Sequence, residues 1–225
     1  MVLDRQRRLF DFFLVPLGRA LGHVNPNVLT ILGLLASVPA AVLVYYADPA
    51  TELSTFYLVG ASLFVLLHGL LDMLDGVVAR LHKKETPLGD FLDHVVDRVA
   101  DVILLTAVSL SAWADLRVGL VAIAATLLTS YLGTQAQAVG AGRMYTGFVA
   151  RADRLFLLIV APIVDHLLVA GRIHIPLAGA EHALGLSLWY IAIGGLVTAL
   201  ERFIRIYLFL RRKHLAAPPV QGGKS

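Results

Sequence analysis

The sequence predicts an all-α membrane protein: a polytopic bundle of about six transmembrane helices, preceded by an N-terminal amphipathic helix in the interface. Three observations carry the prediction. Hydrophobic residues make up 58% of the chain and mean hydropathy is +0.76, far above an ordinary soluble domain. Six apolar runs are long enough to cross ~30 Å of hydrocarbon. Lys and Arg concentrate at alternate ends of those runs, as a chain folded back and forth across a bilayer requires.

Residues 1–24 read as the juxtamembrane amphipathic helix. Arg5, Arg7 and Arg8 precede a stripe of Leu9, Phe12, Phe13, Leu17 and Leu21, interrupted by Asp11, Gly18 and Arg19. Polar interruptions of this kind favour lying in the interface over crossing, and they exclude a signal peptide. Residues 25–213 form the expected six-helix transmembrane domain, with spans at about 28–47, 53–79, 89–112, 117–139, 153–170 and 186–210. Asn25 and Asn27 around Pro26 mark the first helix start, and Pro87 marks the third. Residues 214–225, rich in Ala, Pro and Gly, have the composition of a disordered tail.

Orientation follows from the basic residues. Arg19, Arg80, Lys83, Lys84, Arg154 and Arg211 represent one side of the bundle, whereas the other side has only Arg117 and Arg172. The positive-inside rule puts both termini and the Lys83-Lys84 turn on the cytoplasmic face of the cell membrane. Net charge +3 and pI ≈ 9.3 then describe a basic rim suited to anionic lipid in the bilayer. No segment reads as a nucleic-acid module. The absence of cysteine excludes disulfides and thiolate chemistry.

Four acids interrupt the second and third spans: Asp72, Asp75, Asp93 and Asp97. At the centre of a transmembrane helix each would cost ~2.5–3.5 kcal/mol on insertion scales, so such a group needs compensation. Divalent cations supply it most directly, through hard oxygen ligands. Asp72 and Asp75 are three residues apart and Asp93 and Asp97 four apart, which puts each pair on one helical face about one turn apart. Gly76 and Gly89 beside them allow close approach of a phosphate. The expectation is two antiparallel helices whose acids meet around a metal site, with Lys83 and Lys84 at its mouth. A divalent-cation or proton-coupled transporter also uses intramembrane acids, but spreads them along a path.

The pattern D-x2-D-G-x2-A-R-x8-G-x3-D-x3-D is filled at every defined position, by Asp72, Asp75, Gly76, Ala79, Arg80, Gly89, Asp93 and Asp97. It resembles the signature of the CDP-alcohol phosphatidyltransferases, and the segment from Asn25 to Thr30 resembles the approach to that family's first membrane helix. The resemblance implies a metal-dependent transferase of phospholipid biosynthesis, with residues 25–213 as its catalytic domain. A phosphatidyl-type group would pass from a CDP-activated lipid to a small polar alcohol, with release of CMP. Inositol phosphate, glycerol phosphate and serine are the candidate acceptors. Two divalent cations, Mg²⁺ or Mn²⁺, would sit on Asp72, Asp75, Asp93 and Asp97, and Asp97 would also act as general base. Asn27, Thr30, Gly76, Ala79, Arg80 and Gly89 would contact the CDP donor. The family resemblance further implies a homodimer. A reversed pairing, with a soluble CDP-alcohol donor and a lipid acceptor, is the alternative within the family.

Arg143, Arg151, Arg154 and Arg202 are candidates for binding the acceptor, because a guanidinium fork matches phosphate oxygens. Gly147 to Leu155 is similar to a segment of family members that attach inositol phosphate. Those members are basic where this chain reads Gln135 and Gln137, so the acceptor's identity stays open. His68 is expected to be a packing histidine, and His94 to point about 100° away from the Asp93–Asp97 face. Asp101 extends that face one turn deeper and is not expected to bind metal.

Overall fold

The computed structural model describes residues 13–142, 147–173 and 182–216. Among the described residues all regular structure is helical. Six long helices follow in order: α1 (Pro26–Tyr46), α2 (Phe56–Leu81), α3 (Pro87–Leu110), α4 (Leu116–Ala138), α5 (Arg151–Ala170) and α6 (Ala183–Ala216). A 3-10 turn at Glu52–Thr55 leads into α2, and a short helical stretch at 13–20 precedes α1. The basic run at Arg5, Arg7 and Arg8, the candidate Arg143 and the tail beyond 216 lie outside the described residues. The last helix runs past the expected tail boundary at 213, to Ala216.

Local chemistry explains the helix starts. The Asn25 side chain accepts the Asn27 N–H at 3.0 Å and Pro26 occupies the first turn of α1, where its missing N–H costs nothing. Thr86 does the same for Gly89 N–H at 3.0 Å, with Pro87 opening α3. Between them α2 ends in a tight reversal. Lys84 N–H bonds back to Ala79 O at 2.9 Å, and Lys83 takes a left-handed conformation, φ 54°. This reversal brings the acid-bearing ends of α2 and α3 side by side.

Helix α1 packs against α2 and α3, α2 against α5, and α4 against α6. Leu58, Leu105, Trp113, Leu184, Leu188 and Ile191 are fully buried in one core cluster. The Trp113 indole N–H donates to Ala47 O at 2.9 Å, so this ring is both packed and satisfied at the end remote from the acids. A second cluster joins Leu14 to Leu29, Leu74, Val77 and Val78 near the acids. The N-terminal stretch is therefore docked on α1 and α2, with Phe13 and Leu17 left exposed. His82 Nε2 to Gly18 O at 3.0 Å reinforces the docking.

Among the described residues, four segments are long and apolar enough to cross a membrane: α1, Glu52–Leu81, α4 and Ala183–His214. Helices α3 and α5 fall short of that criterion for a local reason. Asp93, Asp97, Arg98 and Asp101 interrupt α3, and Asp153, Arg154 and Asp165 interrupt α5. Large apolar side chains such as Leu35, Leu63, Leu120 and Leu196 cover the outside of the bundle, as in a protein solvated by lipid.

Candidate active site

The acids approach one another through the α2–α3 reversal. One carboxylate oxygen each from Asp72, Asp93 and Asp97 lie within 4.8 Å of one another. All three donors are hard oxygens, the set that suits Mg²⁺ or Mn²⁺ and not a soft metal. These residues fit a divalent cation. Asp75 stands outside this group. A three-residue step turns it about 60° around α2 from Asp72, toward α1, where its carboxylate accepts the Thr30 hydroxyl at 2.5 Å. Asp75 and Thr30 are both buried.

Two recesses adjoin the acids. The first, of about 200 Å³, is lined by Asn27, Thr30, Asp75, Gly76, Ala79 and Arg80, with Gly89 and Asp93 on its far wall. It therefore gathers every residue that the family resemblance assigns to the CDP donor. Gly89 gives room there, since a Cβ at this position would lie 3.2 Å from the Asn27 side-chain oxygen, a tight contact. Lys84 borders the same recess, but it departs from the expected basic rim. Its ammonium donates to Gly22 O at 2.8 Å and Val24 O at 3.1 Å, and so ties down the N-terminal segment. Carbonyls of a non-helical turn are unpaired acceptors, and a nearby Lys satisfies them.

The second recess, of about 370 Å³, is lined by Asp97 with Arg98, Arg151, Arg154 and Arg202, and by hydroxyls including Thr129 and Ser130. Arg151 and Arg154 come from the start of α5, which delivers both arginines beside the acids. Arg151 bridges two acids, with Nη1 2.7 Å from Asp72 and Nη2 2.7 Å from Asp97. Arg154 pairs with Asp101 at 2.9 Å, and Arg202 donates to Thr129 O at 2.8 Å. Among the described residues, several buried donors here have no hydrogen-bond partner: the Nε atoms of Arg98, Arg151 and Arg154, and the Thr126 hydroxyl. Buried donors of this kind call for a polar partner, and a ligand, an ion or water in the recess can supply it.

Arg98 was missed by reasoning from the sequence. Its signal was position, one residue after Asp97 and three before Asp101, within reach of both. His94, set aside by its angle on the helix, borders the second recess and bonds to Asp90 O at 2.8 Å. His68 is buried, with Nδ1 2.9 Å from Gly33 O, and couples α1 to α2 as a packing residue.

A bundle that presents paired acids between a recess lined by Asn27, Thr30 and Arg80 and an arginine-lined one defines a class of membrane enzyme. Residues 23–164 match the family model of CDP-alcohol phosphatidyltransferase, and the chain belongs to that family. With its apolar crossing helices it is an integral membrane protein. It is 31% identical over 126 residues to the archaetidylinositol phosphate synthase of Methanothermobacter thermautotrophicus, over 56% of this chain and 64% of that protein's length. It is 30% identical over 189 residues to the phosphatidylinositol phosphate synthase of Streptomyces avermitilis, over 81% of this chain and 72% of that protein. The fold is that of the phosphatidylinositol phosphate synthase of Mycobacterium tuberculosis crystallised with CDP-DAG bound. The TM-score is 0.66 at 24% identity, over 94% of this chain and 98% of that one. The same enzyme in complex with manganese and citrate also aligns at TM-score 0.66.

Proposed function

We propose that this protein transfers a phosphatidyl-type group from a CDP-activated lipid, diacyl or diether, to a small phosphorylated polyol, with inositol phosphate the leading acceptor. The observation that carries this reading is the meeting of two unlike recesses at one set of acids. Asp93 borders the first and Asp97 the second. A donor diphosphate in the first and an acceptor hydroxyl in the second would come together there. The orphaned arginine donors of the second recess favour an anionic acceptor over serine. The names of the curated relatives, inositol phosphate synthases of archaeal and bacterial lipids, point the same way.

The chemistry follows from the residues. Asn27, Thr30 and Arg80 would seat the CDP portion, with Gly76 and Gly89 leaving room for it. Divalent cations, Mg²⁺ or Mn²⁺ and two in this reading, would be held by Asp72, Asp93 and Asp97 with Asp75 alongside, and would neutralise the diphosphate's charge. Asp97 takes the proton of the acceptor hydroxyl as its oxygen bonds to the lipid-side phosphorus. The bond from that phosphorus to CMP breaks, and CMP leaves with the electron pair. Arg154 and Arg202 would hold the acceptor's phosphate. The chain has no cysteine, and a direct displacement needs no covalent enzyme intermediate.

The reading includes six crossings, with α3 and α5 spanning behind their charged ends, a homodimer, and the site on the cytoplasmic face. Arg80, Lys83, Lys84, Arg151 and Arg154 lie at the site end, against Arg117 and Arg172 at the other. The test is CMP release by purified protein given a CDP-lipid, Mg²⁺ or Mn²⁺ and a panel of acceptors. Release with inositol phosphate above glycerol phosphate and serine is expected. Release only with a soluble CDP-alcohol and a lipid acceptor would reverse the roles, and cation flux into proteoliposomes without CMP release would make the protein a transporter.

A further inference from the structure

Asp101 belongs neither to the sequence motif nor to either recess, yet it is among the most enclosed acids of α3, at 3% exposure. Its Oδ2 lies 2.9 Å from Arg154 Nη2 and 3.4 Å from Arg98 Nη2. The same Arg98 nitrogen is 3.6 Å from Asp97 Oδ2. Arg98 thus sits between two carboxylates, and Asp101 holds the shorter distance. Both arginines line the second recess, and each keeps a buried Nε without a partner.

We propose that Asp101 is a positioning residue for the acceptor site: it fixes the Arg154 guanidinium in the wall of the second recess and shares the Arg98 guanidinium with Asp97. The inference rests on the reading of that recess as the seat of a phosphorylated acceptor. Three arginines, Arg98, Arg151 and Arg154, converge on Asp72, Asp97 and Asp101. Buried like charges in such a cluster repel, and each needs its own counter-charge to hold one place. Asp101 supplies that charge without touching the recess. Arg154 is then oriented before the acceptor arrives, so less side-chain freedom is lost on binding. Asp97 keeps Arg151 as its short-range cation, at 2.7 Å from Oδ1, and shares Arg98 with Asp101. Without the Asp101 charge, Arg98 is left with Asp97 as its carboxylate and Arg154 loses its ion-pair partner.

The experiment measures acceptor KM, donor KM and kcat with inositol phosphate and a CDP-lipid for the native enzyme, Asp101→Asn, Asp101→Glu, Arg154→Gln and the Asp101→Asn/Arg154→Gln pair. Asp101→Asn is expected to raise acceptor KM about tenfold and leave donor KM within about twofold. In the Arg154→Gln background the same change should raise it threefold or less, because the residue it acts through is gone. Asp101→Glu keeps the buried charge and should raise acceptor KM by a few-fold. It also decides the question should the Asn variant fail to insert. Unchanged acceptor KM in Asp101→Glu and Asp101→Asn, a parallel rise of both KM values, or full additivity with Arg154→Gln each overturns the proposal. A native enzyme that prefers an unphosphorylated alcohol refutes instead the reading of the recess.

Discussion

The Arg151 guanidinium lies 2.7 Å from the Asp97 carboxylate, and its other terminal nitrogen is equally close to Asp72 at 2.7 Å. One side chain from α5 thereby binds α2 and α3 together across the acids. Arg154, one turn along, is paired with Asp101 instead. The two arginines belong to one helix end but do different work, and their substitutions should separate. Arg154→Ala should raise acceptor KM by one to two decades with kcat little changed, for a loss of ~1.5–3 kcal/mol in charged hydrogen bonding. Arg151→Ala should raise acceptor KM and also lower kcat, because Asp72 and Asp97 lose their shared cation. Steady-state kinetics in both substrates checks this. Equal, purely KM effects in the two variants would contradict the division.

The oxygens of Asp72, Asp93 and Asp97 lie close enough together for one ion to engage all three. Activity should vanish in EDTA and return with Mg²⁺ or Mn²⁺. Asp72→Asn, Asp93→Asn and Asp97→Asn should each insert normally, lose most turnover, and weaken Mn²⁺ binding read by electron paramagnetic resonance. Native Mn²⁺ affinity in any two of them would remove these acids from the metal site.

Thr30 donates to Asp75 in a buried contact between α1 and α2. Thr30→Val keeps the shape and deletes the donor, leaving a carboxylate short of one bond at a cost of ~1.5–3 kcal/mol. Because both residues border the first recess, kcat/KM for the CDP-lipid should fall about ten- to a hundredfold while acceptor KM holds. An effect confined to the acceptor would show that the recesses are assigned the wrong way round.

The absence of cysteine makes topology directly measurable with single introduced cysteines. A cysteine at Lys83, exposed in the α2–α3 turn, should react with an impermeant reagent from the cytoplasmic side. One at Ala50, exposed in the turn after α1, should react from the opposite side. The reverse pattern would invert the orientation.

Much of this was legible before any coordinates, and the exceptions have physical reasons. Helix ranges were readable because apolar run length, Asn25 with Pro26, and Pro87 mark the ends locally, although the Thr86 cap of α3 appeared only in the structure. The meeting of Asp72 with Asp93 and Asp97 was readable because i, i+3 and i, i+4 spacing puts acids on one face and a short reversal brings the helices together. Spacing alone could not say that Asp75 turns toward Thr30 on α1, since that depends on which helix fills the neighbouring side. Nor could it say that Arg151 would reach Asp72 across a long stretch of chain, or that Lys84 would be consumed by the Gly22 and Val24 carbonyls. Asp165 marks the same limit. An acid within an apolar helix, it is fully buried and accepts the Ala183 and Leu184 N–H groups at the start of α6, at 2.7 and 2.9 Å. It is a helix cap whose partner lies beyond any local window.

The central claim is transfer between two substrates at one set of acids, and the lipid product tests it most directly. Purified protein is given a CDP-lipid, Mn²⁺ and radiolabelled inositol phosphate, and the label extracted into the lipid phase is counted against CMP released. The account predicts one lipid-bound inositol phosphate for each CMP, with both lost in Asp97→Asn. CMP release without label in the lipid phase, or no CMP release at all, would contradict it.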